Sequence, residues 1–210
     1  MVYVVYAGEG EATGGGAETI WPHKSQLYPS KTYGGKRVSV YACSNELSSK
    51  TAVAGIGTIC HEFSHCLGYP DAYDVDYNGF YGMGSWDLMC QGSYNGNQFV
   101  PAGYTAYEKW VAGWIEPIEL VKNQDISNMK PLSEGGKTYT MYNENNRDEY
   151  YIIDNRQKTN WDASLPGNGL LVTHVDYDKT AWYKNEVNTK ASHQRWSIIA
   201  ADNSYYSDHN

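Results

Sequence analysis

The sequence predicts an α+β fold, and three observations carry that expectation. Two β-branched and aromatic runs stand near the start, VYVVYA at 2–7 and RVSVYAC at 37–43, and such runs form strands. Apolar residues then recur at a near-helical spacing through Val53, Ile56, Ile59, Cys60, Phe63 and Leu67. After Pro117 the character returns to strand-like runs separated by Asn, Asp, Gly and Pro.

Taken in order, the segment GEGEATGGG between the first two strands reads as a flexible connection, since neither a P-loop lysine pattern nor a dinucleotide fingerprint follows its glycines. The helical stretch is expected to begin at Ser48 or Ser49 as N-cap and to stop at Gly68, with Pro70 two residues on. Residues 69–100 show no sustained period and form a long loop, of the kind that is usually functional or ion-stabilised. A second helix is expected from Pro101 through PAGYTAYEKWVAGW. Strands follow at KTYTMY (137–142), EYYIID (149–154), GLLVTHV (169–175) and RWSIIAA (195–201). Residues 1–118 thus read as a catalytic core and residues 119–210 as a β-rich subdomain of the same unit.

Composition excludes several functions. The chain has 210 residues, 41% hydrophobic and 19% charged, enough for one real core. With a net charge of -8 and 16 scattered Lys and Arg, it offers no basic stripe for nucleic acid. No apolar run approaches the roughly 20 residues of a membrane span, and Met1–Ala7 lacks the positive flank of an export leader. Cys60 and Cys66 would lie ~9 Å apart along a helix axis, too far to bridge. A Cys43–Cys90 disulfide and four buried thiols both remain open.

The chemistry sits in HEFSHCLGYPD, residues 61–71. His61 and His65 are i and i+4 on a helix, on one face about 5–6 Å apart, a spacing that lets two imidazoles reach one zinc ion. Glu62, turned by about 100°, can accept a proton from a water in the ion's open position, whose pKa zinc lowers to about 7. The extended motif puts a glycine three residues after the second histidine and a ligand three beyond that. Those places hold Gly68, suited to a positive φ, and Asp71. Asp74 and Glu108 are the rival third ligands. Met89, rather than Met83, is expected to floor the site as the Met-turn residue. The set predicts a zincin/metzincin-like catalytic core with an active-site helix.

Other residues are candidates for supporting roles. Asp74, Asp76 and Asn78 match the front half of a calcium loop, although Ser85 stands where an EF-hand needs glutamate. Tyr73, Tyr81 and His174 are candidates for a proton donor or oxyanion partner. His174 and His23 also read as hydrogen-bonded core histidines.

HEFSHCLGYPDAYD and GSWDLM resemble the immune inhibitor A family of secreted bacterial metallopeptidases, and TIWPHKS, PAGYTAYEKW, GWIEP, YYIIDNRQ, PGNGLLVTHVDYD and HQRWSIIAAD extend the likeness along nearly the whole chain. The resemblance implies an exported zinc endopeptidase with calcium sites, acting on proteins or peptides and made with additional segments before and after this one. His61, Glu62 and His65 carry over directly. The alternative is an inactive relative that uses its 20 Tyr and 7 Trp as a glycan- or protein-binding surface.

Overall fold

The computed structural model describes residues 1–79 and 82–201. It is mixed helix and sheet. The first sheet combines β1 (Val2–Glu9), β2 (His23–Tyr33) and β3 (Lys36–Ser49) in the order β1-β3-β2, with the short β4 (Ala52–Val53) also paired to β3. β1 runs parallel to β3 and β2 antiparallel, so that Val4 and His23 both stand opposite Cys43. β2 has no counterpart among the strands expected from the sequence. It is an edge strand whose HKSQLYPSKTY shows no clean alternation and contains Pro29, a residue that sheets tolerate at edges.

Helix α1 spans Gly57–Leu67, which corrects the expected start at Ser48 or Ser49. β3 continues through Ser49 and folds back as β4, so the serines are in sheet and the helix enters from Ile56 without a side-chain cap. The true entry is marked by close packing. A Cβ on Gly57 would stand 1.8 Å from the Ser93 carbonyl oxygen, and one on Gly55 2.3 Å from the Gln98 backbone. Only glycine lets the chain pass there. At the other end Gly68 closes the helix with φ 102°, its N–H bonded to the Ser64 and His65 carbonyls, as the sequence requires.

Helix α2 is also shorter than expected and covers Ala106–Val111, not the stretch from Pro101. Its start is a capping box: the Thr105 N–H and hydroxyl both donate to Glu108 Oε2, at 2.7 and 3.1 Å. The second sheet runs in sequence order through β5 (Ile118–Glu119), β6 (Tyr139–Asn143), β7 (Asn146–Arg156), β8 (Gly169–Asp176) and β9 (Trp196–Ile198). Between β8 and β9 lies α3 (Lys179–Lys184), capped by the Asp178 carboxylate.

One hydrophobic cluster spans both halves of the chain. It joins Tyr69, Ala72, Met83 and Met89 of the long loop, Tyr107 of α2, and Tyr150, Val175 and Trp196 of the second sheet. The loop that follows α1 is therefore anchored on the second sheet, while α1 itself packs on β3 and β2. All four cysteines are free, so the Cys43–Cys90 bridge does not form. Among the described residues no helix is long and apolar enough to cross a membrane.

Candidate metal centre

His61 and His65 project from consecutive turns of α1, and their rings meet edge to face at 4.8 Å between centroids. After the Gly68 turn the chain comes back beneath them and brings Asp71 with it. Asp71 Oδ1 lies 3.1 Å from His61 Nε2 and 3.4 Å from His65 Nε2. One ligand atom from each of the three residues lies within 4.8 Å of the others, a group that could hold a metal ion.

The orientation of each ring is fixed from behind. His61 Nδ1–H donates to the Leu88 carbonyl at 2.9 Å, and His65 Nδ1–H to the Tyr69 carbonyl at 2.8 Å. A neutral imidazole that donates through Nδ1 carries a lone pair at Nε2. In that neutral form both lone pairs face the buried Asp71 Oδ1. Three acceptors facing each other repel unless a proton or a cation lies between them. The 3.1 and 3.4 Å distances from Asp71 Oδ1 to the two nitrogens suit zinc, because ligand atoms at 2.0–2.1 Å from a tetrahedral ion stand about 3.3 Å apart. Backbone acceptors behind metal-binding histidines are the usual supporting arrangement.

Without a metal, a proton on His61 facing Asp71 takes the cation's place. Burial works to raise Asp71, but the hydrogen bonds and charge of His61 and His65 outweigh it and hold the carboxyl far below the usual range. Burial lowers His61, and the Asp71 carboxylate more than reverses this, leaving the imidazole raised. Glu62 is raised by burial, against the pull of His61 and His65. It does not join the three-residue group. Two hollows of ≈ 320 and ≈ 640 Å³ adjoin the site, and His61, Glu62 and Tyr73 line both.

The remaining candidates fall into place or away. Tyr73 stacks on the His61 ring at 6.5 Å, and burial followed by the Asp71 charge pushes its phenol well up. His23 lines the larger hollow, with its ring held by the Trp21 carbonyl and the Tyr41 hydroxyl. His174 instead bonds Glu149 at 3.1 Å on the second sheet. Glu108 is committed to the α2 cap and is no rival ligand. Met89 is fully buried, one residue past the carbonyl that holds His61; Met83 is also fully buried. Tyr81 lies outside the described residues. The calcium expectation gains no support: both Asp74 carboxylate oxygens accept backbone N–H groups, from Asp76 at 3.0 Å and Asn78 at 2.6 Å, which is a self-contained turn.

Sequence reasoning missed the groups behind the three candidate ligands. The Leu88 and Tyr69 carbonyls carry no residue-type signal. Asn185, which bonds Asp71, comes from 114 residues away and has no local motif beyond a helix-stop asparagine after α3.

An α+β chain that sets HExxH on a helix and returns a carboxylate past a C-capping glycine defines a metal-dependent hydrolase. The chain belongs to the immune inhibitor A family of peptidases: the family model described as "Immune inhibitor A peptidase M6, catalytic domain" matches residues 1–115. It is 26% identical over 140 residues to an Immune inhibitor A of Bacillus thuringiensis subsp. alesti, which covers 56% of this chain and 20% of that protein. It is 28% identical over 123 residues to the Pre-pro-metalloprotease PrtV of Vibrio cholerae serotype O1, covering 54% of this chain and 13% of that one. The chain therefore spans a fifth or less of the curated relatives named here. No solved structure matches.

Proposed function

We propose that this chain is the catalytic part of an exported zinc-dependent endopeptidase, with His61, His65 and Asp71 as metal ligands and Glu62 as general base and acid. The observation that carries the reading is that His61 Nε2 and His65 Nε2 both face Asp71 Oδ1, with Glu62 beside them on the wall of an open hollow. A bound zinc ion supplies Lewis acidity and a water of lowered pKa. Glu62 takes a proton from the attacking water and returns it to the leaving amine, a transfer that its burial and raised pKa favour. Tyr73, beside His61 and held in its neutral, donating form, stabilises the developing oxyanion. Met89 floors the site in a metzincin-like core. Residues 119–210 act as part of the same catalytic unit, since the shared hydrophobic cluster holds the loop that bears Asp71. Export and protein or peptide substrates follow the family.

The test is casein degradation by the full-length protein. Chelator should abolish it and zinc restore it, and Glu62→Gln should lower kcat by roughly 10²–10⁴-fold while zinc content stays near one per chain. A Glu62→Gln variant with undiminished turnover removes the mechanism. Zinc bound without any proteolysis favours an inactive binding module.

A further inference from the structure

We propose that Asn185 is a positioning residue of the metal centre, fixing Asp71 so that one carboxylate oxygen faces the imidazoles and the other is held back. The inference rests on the metallopeptidase reading above. Asp71 N–H donates to Asn185 Oδ1 at 2.6 Å, and Asn185 Nδ2 donates to Asp71 Oδ2 at 2.6 Å. One amide thus engages the backbone and the side chain of the same residue. A carboxylate free to turn can bind a cation through one oxygen or both. With Oδ2 engaged by an N–H donor, only Oδ1 is turned toward His61 and His65. Single-oxygen ligation preserves the open position that a hydrolytic site requires.

Asn185 is aimed by the end of α3. It adopts φ 61° and its N–H bonds the Ala181 and Trp182 carbonyls, a stop that favours Asn or Gly. Three residues further, the fully buried Asn188 donates to the Ala72 carbonyl at 2.8 Å and the Trp196 carbonyl at 2.6 Å, and accepts from Trp196 N–H at 3.0 Å. The segment 185–188 therefore grips two consecutive residues, Asp71 and Ala72, while it is tied to β9. Neither asparagine falls within residues 1–115 that the family model matches. The third ligand is held from outside that region.

Two variants in the full-length protein test this. Asn185→Gly keeps the positive φ and removes the amide; Asn185→Asp keeps an acceptor for Asp71 N–H but sets an oxygen where the donor was. Zinc affinity is read by competition with a chromophoric chelator, and thermal unfolding of the metal-free protein serves as the stability control. Asn185→Gly should weaken zinc by about 10–100-fold, the usual effect of losing a group behind a ligand, with a metal-free melting temperature close to wild type. Asn185→Asp should lose at least as much at pH 7. Should Asn185→Gly unfold early, Asn185→Asp decides, because an asparagine that only ends a helix tolerates aspartate and would leave zinc affinity unchanged. Wild-type affinity in either folded variant overturns the inference alone. A wild type that does not bind zinc overturns the metallopeptidase reading and this inference together.

Discussion

Asp71 and Asp87 are both buried aspartates, 6% and 0% exposed, and burial drives each toward its protonated form. At Asp71 the two imidazoles reverse that tendency and keep the carboxylate charged. At Asp87 burial wins over the Met89 N–H and the Arg156 charge, and the carboxyl is pushed up to about 6. Its neighbour Glu108 is raised well above the ordinary range by burial and by the charge of Asp87. Asp154 and Asp162 lie in the same region around Arg156, the fully buried cation there. Four acids and one buried guanidinium leave a deficit of positive charge, made up only in part by half-buried Lys109, whose own pKa burial depresses.

The two sites thus differ in what serves as counter-ion. Asp71 belongs to three acceptors held at cation-binding distance, whereas Asp87 and Glu108 belong to no metal-capable group among the described residues. Burial and the charge of Asp87 favour a proton on Glu108. Burial of a carboxylate does not mark a metal site. Two imidazoles and a carboxylate facing one another form a group that could hold a metal ion.

Removing one of the proposed ligands should give the largest separation between the two regions. Asp71→Ala is expected to weaken zinc by more than the ~100-fold upper range for a supporting group. Glu108→Gln should leave zinc affinity at the wild-type value. Chelator competition on the two proteins side by side checks both, and equal losses would mean that the acid pair is coupled to the metal after all.

The next effect is on stability. Arg156 donates to both oxygens of Asp162, at 2.7 and 3.0 Å, and to the Gly103 carbonyl at 2.9 Å. Arg156→Met removes the buried cation and leaves its carboxylates facing each other, a loss of about 3–5 kcal/mol that urea unfolding of the metal-free chain would register. A loss below about 1 kcal/mol, well outside the range for breaking a buried pair, would show that Arg156 is not the counter-charge of these carboxylates.

The comparison also explains which parts of the molecule were legible in the sequence. His61, Glu62, His65, Gly68 and Asp71 fall within a helix and the turn after it, so spacing alone set their geometry. α1 was placed correctly at its end and wrongly at its start, because apolar Val53 fits a helical stripe and a strand pair equally well, and the glycine contacts that decide between them are with residues 93 and 98. The capping box at Thr105 and Glu108 was a readable start signal for α2 that the proline at 101 outweighed. β2 lacks alternation because an edge strand half open to water has little need of it. What holds the site from behind, two backbone carbonyls and Asn185, depends on contacts across the chain that no local pattern encodes.

The smallest effect per pH unit is the most diagnostic of a proton on Glu108. An unfolded glutamate titrates near 4.3, while folded Glu108 holds its proton to much higher pH. A folded acid with a raised pKa contributes stability that is complete below its unfolded value and is lost as pH rises through the folded one. Asp71 has the opposite sign in the metal-free chain: its contribution is present above about 3.9 and is lost as pH falls. Glu108→Gln keeps the capping box, since Gln serves at that position, and cannot ionise. Relative to wild type the variant should therefore gain stability from pH 5 toward pH 8, by about 1.4 kcal/mol for each pH unit over which folded Glu108 keeps its proton. Urea midpoints at the two pH values measure it. Midpoints that shift in parallel for both proteins would show that the acid pair holds no proton, and that another cation balances Asp87.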